Sequence, residues 1–96
     1  MEIIHLDNQD FNTLIKEKVL VDFYANWCGP CKMLAPVLEE VESDLKVIKV
    51  DTDEFDELSQ EYGVMTIPTL ILFDKGKEIK RNIGFINKED LEEFLK

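Results

Sequence analysis

Apolar residues recur along this chain in two spacings, one typical of strands and the other of helices. Short runs rich in branched and aromatic residues predict strands at residues 3–6, 19–25, 46–51 and 69–73, and through Ile79 and Ile83. Between them, apolar residues three and four positions apart predict helices. These contain Phe11, Leu14 and Ile15; Leu34, Val37, Leu38 and Val41; Phe55, Leu58 and Tyr62; and Leu91, Phe94 and Leu95. The predicted order is βαβαβαββα.

Capping and breaking residues set the limits of several helices. Asn8 or Asp10 is expected to cap the first helix and Asn87 the last, because their side chains accept hydrogen bonds from free N–H groups. The third helix should end near Gly63. The second should begin inside a Cys-Gly-Pro-Cys turn, and Pro36 should kink it.

The connections predict an α/β fold built on a mixed sheet. Helical crossovers join parallel strands, whereas the turn at residues 74–77 predicts an antiparallel hairpin. Helices should then cover both faces of the sheet. In such folds the carboxyl ends of parallel strands and the starts of the following helices share one edge, where binding sites usually lie. Cys28 falls at that edge.

Length and composition indicate one soluble folding unit. A chain of 96 residues, 45% of them apolar, suits a single domain over residues 1–96 with one core. No low-complexity tract interrupts it. The chain opens Met1-Glu2-Ile3-Ile4-His5 without a basic leader, and no run approaches membrane-spanning length, so we expect a cytoplasmic protein.

The formal net charge of −10 disfavours two classes of partner. A phosphate backbone or an anionic membrane requires clustered Lys or Arg, which this sequence lacks. We therefore predict no nucleic acid and no membrane partner. The charge is explained by solubility, and steering toward a partner with a basic face stays open.

The only two cysteines lie two residues apart, in the run Trp27-Cys28-Gly29-Pro30-Cys31-Lys32. They are too few for the disulfide framework of a secreted domain, and their closeness would restrict almost no chain entropy. Such a pair suits thiol–disulfide exchange. Cys28, just before a helix, should be the nucleophile because free N–H groups favour its thiolate. Cys31, one turn further in, should be more buried, protonated at rest and the resolving thiol.

Other interpretations of these residues remain open. Two inert core cysteines would both have to be buried, and zinc would need about four ligands, with His5 as the only other soft candidate. A dimer pooling two cysteine pairs around zinc or an iron–sulfur cluster is the remaining metal alternative. His5 itself is expected to be structural. The acidic run at residues 51–57 has Phe55 and Asp56 where a calcium loop needs a ligand and a glycine, so it is interpreted as a solvated helix start.

Asp22 lies within an apolar strand, where a carboxylate loses solvation. Its pKa should be raised unless a cation or hydrogen bonds compensate, which would make it a useful proton carrier. The alternative is a solvated carboxylate at a strand end.

The chain resembles the thioredoxin family over essentially its whole length. The resemblance rests on residues 21–32, which include Trp-Cys-Gly-Pro-Cys-Lys after a strand, on Ile67-Pro68-Thr69 and on Gly84 after the last strand. It implies a thioredoxin fold, with a mixed sheet of four or five strands flanked by four helices. It also implies a general protein disulfide reductase recycled by a thioredoxin reductase, with disulfide-containing substrate proteins, no cofactor, no metal and a monomeric state by default.

The resemblance also implies roles for individual residues. Asp22 would be the base that helps deprotonate Cys31, with Lys49 as its charge partner. Pro68 would follow a cis peptide bond and pack against the dithiol, and Gly29 and Pro30 would shape the site. The substrate-docking surface would consist of Trp27, Val64, Thr66, Ile67 and Gly84. Core packing is the alternative role for Trp27.

Three positions depart from the commonest family pattern: Tyr24, where many relatives carry tryptophan, Asn26 and Thr66. None removes a reacting group, so they bear on partner preference rather than chemistry. An oxidase or isomerase of the same fold is one alternative function, although Pro30 resembles the reducing branch. A binding subunit of a larger enzyme, with an incidental dithiol, is the other.

Overall fold

Nine elements make up this computed structural model, which describes all of residues 1–96. The strands are β1 (Glu2–His5), β2 (Val19–Tyr24), β3 (Lys46–Asp51), β4 (Thr69–Asp74) and β5 (Lys77–Ile83). The helices are α1 (Phe11–Leu14), α2 (Gly29–Glu40), α3 (Asp56–Glu61) and α4 (Lys88–Phe94). The predicted order of elements is confirmed.

All five strands form one mixed sheet in the order β1-β3-β2-β4-β5. β1, β2 and β3 run parallel to one another because helical crossovers connect them. β4 runs antiparallel to both of its neighbours, β2 and β5. β2 lies at the centre, and its register places Asp22 beside Lys49 of β3 and opposite Leu70 of β4. The central strand thereby brings a carboxylate next to a lysine in the interior.

The core is divided into two layers by the sheet, as alternation along β2 requires. Val19, Val21 and Phe23 pack with Phe11 of α1 on one face, where residues of α3 also lie. On the other face Leu20 packs with residues of α2 and α4, among them Leu34, Leu38 and Leu91. Helices therefore cover both faces, as predicted, and Asp22 points to the layer of α2.

The hairpin between β4 and β5 turns at Lys75 and Gly76, whose φ angles are 54° and 80°. Glycine adopts a positive φ without the steric cost of a side chain, which explains its place in this tight turn. The N–H groups of Lys75 and Gly76 donate to the carbonyl groups of Lys16 and Ile15. The hairpin tip is thus joined to the end of the first helix.

Several boundaries and caps differ from the sequence-based prediction. β1 begins and ends one residue early, and α1 is a single turn in which Ile15 is already the C-cap. Asn8 does not cap α1: Asp10 holds that position, but its carboxylate accepts from the Thr13 hydroxyl at 2.6 Å instead of from a backbone N–H. A side-chain donor three residues away competes for the cap.

Two further helix predictions, the cap at Asn87 and the helix end near Gly63, are confirmed. Asn87 caps α4, because its side-chain oxygen accepts from the Asp90 N–H at 2.8 Å. Gly63, with a φ of 64°, directly follows Tyr62, the C-cap of α3, so the predicted end near Gly63 is confirmed. Pro36 lies inside α2, which continues through it, so the kink at this residue stays a prediction.

Candidate active site

Cys28 is the N-cap of α2, immediately beyond the turn that follows β2. Its N–H donates to the Ala25 carbonyl at 3.2 Å, and its sulfur accepts from the Cys31 N–H at 3.2 Å. Pro30 lies in the first turn of the helix, where its missing N–H breaks no intrahelical bond. The start of α2 therefore presents the Cys28 sulfur to free backbone N–H groups, which favour negative charge.

Cys28 and Cys31 form a disulfide across this first turn, with their Cα atoms 5.2 Å apart. The pair is thus within bonding reach without rearrangement of the backbone. The expectation that Cys31 is the more buried of the two gains no support, because the exposed fractions are 5% for Cys28 and 4% for Cys31. Ala25 forms a cluster with the two cysteines, the half-buried Ile67 packs against this cluster, and Cys28 is covered as well.

Ile67 and Pro68 place a second chain segment against the dithiol. The peptide bond between them is cis, as the resemblance implies. The Cys28 sulfur lies 3.8 Å from the Ile67 carbonyl oxygen, and Pro68 is buried. This segment leads into β4, so the sheet itself fixes its position beside the helix start.

The remaining predicted docking residues lie in different surroundings. The Gly84 N–H donates to the Pro68 carbonyl at 2.8 Å, which brings the end of β5 to the same edge, and Gly84 has a φ of 95°. Thr66 is exposed, and its carbonyl accepts from the Thr69 hydroxyl. Val64 is half-buried and packs against the core layer of α1 and α3 rather than against the cysteines.

Trp27 is not a core residue, since 70% of it is exposed. Its indole N–H donates to the Asp53 carboxylate at 2.9 Å, and Asn26 donates to Asp51 at 3.4 Å. These contacts tie the loop before Cys28 to the last residue of β3 and to the segment that follows it. A large aromatic side chain is thereby held accessible at the residue that directly precedes Cys28.

Asp22 is buried in β2 on the face of the sheet that α2 covers, with 1% of it exposed. Lys49 Nζ lies 3.5 Å from Asp22 Oδ2, but neither carboxylate oxygen accepts a well-aligned hydrogen bond from the protein. Burial raises the pKa of Asp22 to about 6, and the charge of Lys49 only partly offsets this effect. The predicted rise is confirmed, and the solvated alternative is wrong. A group of this pKa exchanges protons near neutral pH.

A small cleft of about 130 Å³ leads from the surface toward this buried pair. Cys31 and Lys49 are among its lining residues, together with Tyr24, Ala25, Asn26, Lys32 and Ala35. The ring of Tyr24 lies under the Lys49 ammonium, with Nζ 4.5 Å from the ring centroid. Cys31 and the partner of Asp22 thus share one opening to solvent.

Several features of this edge were not predicted from the sequence. Met65 is 96% exposed and Phe85 43% exposed, each next to a predicted docking residue. Asp53, assigned only to a solvated helix start, is the hydrogen-bond partner of Trp27. The sequence did offer a signal for Met65 and Phe85, because each is a large apolar residue next to a residue already assigned to docking. The contact between Asp53 and Trp27 depends on tertiary structure and had no such signal.

Neighbouring acidic residues have the structural role expected of them. Asp56 and Glu57 lie in the first turn of α3, where negative charge suits the helix dipole.

No group of three or more His, Cys, Asp or Glu side chains is arranged to hold a metal ion. None of the four helices has the length and apolar character needed to cross a bilayer.

Comparison with known proteins gives a consistent result. The thioredoxin family model matches residues 2–96. A thioredoxin of Mycoplasmoides gallisepticum is 54% identical, with 83% of each chain covered, and one of Bacillus subtilis is 45% identical, covering 99% of this chain and 96% of the relative. The solved structure of a thioredoxin point mutant from Halobacterium salinarum superposes with a TM-score of 0.86 at 39% identity, covering 97% of this chain and 87% of that one.

The fold and the dithiol at its sheet edge define a thiol–disulfide oxidoreductase. The chain belongs to the thioredoxin family. It acts as a protein disulfide reductase through the Cys28–Cys31 couple, and a thioredoxin reductase recycles it, as is standard for the family. The predicted fold class and the predicted function are both confirmed.

Proposed function

We propose that Cys28 is the nucleophile and Cys31 the resolving thiol of this reductase. The observation that carries the assignment is the position of Cys28 as N-cap of α2, where its sulfur accepts from the Cys31 N–H. The same N–H can stabilise a thiolate at Cys28. Cys31 lies within bonding reach, with 5.2 Å between the Cα atoms.

The reaction proceeds by two exchanges. The Cys28 thiolate attacks one sulfur of a substrate disulfide, whose S–S bond breaks and whose second sulfur leaves as a thiolate and takes up a proton. The Cys31 thiol then loses its proton and attacks the Cys28 sulfur, which releases the other substrate thiolate. The substrate gains two electrons, and the protein is left with the Cys28–Cys31 disulfide.

Asp22 is proposed as the base that removes the Cys31 proton, with Lys49 as its charge partner. Its pKa of about 6 leaves most of the carboxyl ionised at neutral pH while keeping it basic enough to accept a proton. The cleft that contains Cys31 and Lys49 gives the proton a route to and from solvent.

Substrate proteins are proposed to dock on the surface formed by Trp27, Val64, Thr66, Ile67 and Gly84, with Gly29, Pro30 and Pro68 shaping the site. An extended substrate segment would pair with the backbone at Ile67 in the manner of an added strand. The 70% exposed Trp27 would supply apolar contact area. Val64 is the weakest member, because its side chain packs into the core.

The setting is proposed to be the cytoplasm, with the protein as a monomer that carries electrons from thioredoxin reductase to its substrates. No cofactor, metal, nucleic acid or membrane is assigned a part. The bacterial relatives support this setting, and the net charge of −10 disfavours nucleic acid and anionic membranes as partners.

Trapping of the mixed disulfide tests the roles of the cysteines. Reduced Cys31→Ser protein mixed with a disulfide-bonded substrate should accumulate a covalent adduct at Cys28, detected by mass spectrometry, whereas Cys28→Ser should form none. Adduct formation by Cys28→Ser alone would reverse the assignment.

Quenched-flow measurement of the second exchange tests the role of Asp22. Asp22→Asn should resolve the mixed disulfide about 10²-fold more slowly near pH 7, since loss of a general base typically costs this much. Resolution at the wild-type rate would remove Asp22 from the mechanism and leave the cysteine roles standing.

A further inference from the structure

The Lys49 side chain is almost completely buried, with only 11% of it exposed. An ammonium group removed from water must gain compensating interactions, because its desolvation is costly. The described contacts of its Nζ atom are the Asp22 carboxylate at 3.5 Å and the Tyr24 ring at 4.5 Å from the centroid. The ion pair is long and poorly aligned for hydrogen bonding, so the ring is a substantial part of the environment of this cation.

Tyr24 is the last residue of β2, two positions after Asp22 on the same strand. Residues two apart on a strand project from the same face, so Tyr24 and Asp22 both lie on the side where Lys49 projects from β3. The negative face of an aromatic ring attracts an ammonium group within about 6 Å. Lys49 is therefore held between a ring and a carboxylate.

We propose that Tyr24 is a positioning residue that holds the Lys49 ammonium against the Asp22 carboxyl. It touches neither the sulfurs nor the substrate in this role and acts through Lys49. The consequence for catalysis rests on the proposed function of Asp22, because the strength of this base depends on how closely the cation is held.

Other charged groups around the ring define the electrostatic background. Lys32 approaches from α2 and lines the same cleft, and Asp51 at the end of β3 and Glu54 beyond it act on Tyr24 with Asp22. Lys32 is exposed and makes no ion pair with Asp22, whereas Lys49 does, so Lys49 is the cation that should respond to loss of the ring. Tyr24→Leu removes the ring while keeping apolar bulk, and Tyr24→Phe keeps the ring and loses only the hydroxyl.

The test is an NMR titration of the Asp22 carboxyl carbon in the oxidised protein. Tyr24→Leu should raise the Asp22 midpoint by roughly half a pH unit, because the cation that lowers it is no longer held in place. Tyr24→Phe should titrate as the wild type does. Equal shifts in the Leu and Phe variants would overturn the proposal, since the ring face would then be irrelevant.

A second background separates positioning of Lys49 from simple opening of the cleft to water. In Lys49→Gln protein, Tyr24→Leu should produce no rise in the Asp22 midpoint. The same rise in both backgrounds would show that Tyr24 acts without Lys49 and would contradict the proposal. The titration involves no reacting thiol, so its result is independent of whether Asp22→Asn slows resolution of the mixed disulfide.

Discussion

The sulfur of Cys28 lies 3.8 Å from the carbonyl oxygen of Ile67, although 39 positions separate the two residues in sequence. One belongs to the start of α2 and the other to the segment that enters β4. Because β2 and β4 are hydrogen-bonded neighbours, the two segments emerge side by side at the same sheet edge. The reactive sulfur is thereby covered by the segment proposed to receive the substrate.

Truncation of Ile67 should have opposite effects on the reaction rates with small reagents and with protein substrates. Ile67→Ala uncovers the cysteines, so the reduced protein should react several-fold faster with iodoacetamide at a pH where the thiolate is fully formed. It should reduce a disulfide-bonded protein more slowly, because docking area is lost. Alkylation and turnover rates that change in the same direction would contradict this role.

Removal of the exposed indole should weaken docking more than chemistry. Trp27→Ala is expected to raise KM for a protein substrate such as insulin roughly tenfold with kcat little changed, since a contact of this kind is worth about 1.4 kcal/mol. Ile79→Ala is the control, because Ile79 is also apolar and 51% exposed but lies near the hairpin end of β5. Equal effects of the two substitutions would exclude a special role for Trp27.

Ionisation of Asp22 should destabilise the oxidised fold. Its pKa is raised from 3.8 to about 6 by burial, so its contribution to stability is fully present below pH 3.8 and is lost as the pH rises through about 6. Ionisation of Asp22 therefore lowers the free energy of unfolding by about 3 kcal/mol. Denaturant titrations at several pH values should show Asp22→Asn gaining about that much relative to wild type between pH 3.5 and 7.5.

Glu78 supplies the control of opposite sign. A hydrogen bond from Arg81 lowers the pKa of its carboxyl, so the stability it contributes is present above the ordinary pKa and lost on acidification. Glu78→Gln should therefore become more destabilising, relative to wild type, as the pH rises. A constant difference between Asp22→Asn and wild type across this range would contradict the account of Asp22.

The Asn87 cap offers a test of structure apart from chemistry. Asn87→Ala should lower the free energy of unfolding by about 1 kcal/mol, because the Asp90 N–H loses its acceptor, while Asn87→Asp should retain most of the stability. Denaturant unfolding measures both, and the rate of disulfide reduction should not change. A large loss of activity in Asn87→Ala would show that α4 influences the dithiol.

Much of this architecture could be predicted because local signals and tertiary structure agree. The apolar runs located the five strands, and the Gly76 turn indicated the final hairpin. Burial of Asp22 followed from its apolar neighbours on β2. In each case the evidence lay within a few residues of the feature.

Features that depend on strand register or on packing between distant segments could not be predicted in this way. The pairing of Asp22 with Lys49 came from the family resemblance, and the stacking of Lys49 on Tyr24 requires the register of β2 against β3. The nearly equal burial of Cys28 and Cys31 depends on Ile67, which arrives from another part of the chain. Sequence spacing carries no information on these distances.

The midpoint potential of the Cys28–Cys31 couple tests the central claim most directly. The protein would be equilibrated in graded glutathione buffers, and free thiols would be counted by alkylation and mass spectrometry at each poise. A reductase requires a reversible two-electron couple more reducing than glutathione, and this is the predicted result. A markedly oxidising midpoint, or the absence of any titrating couple, would contradict the account.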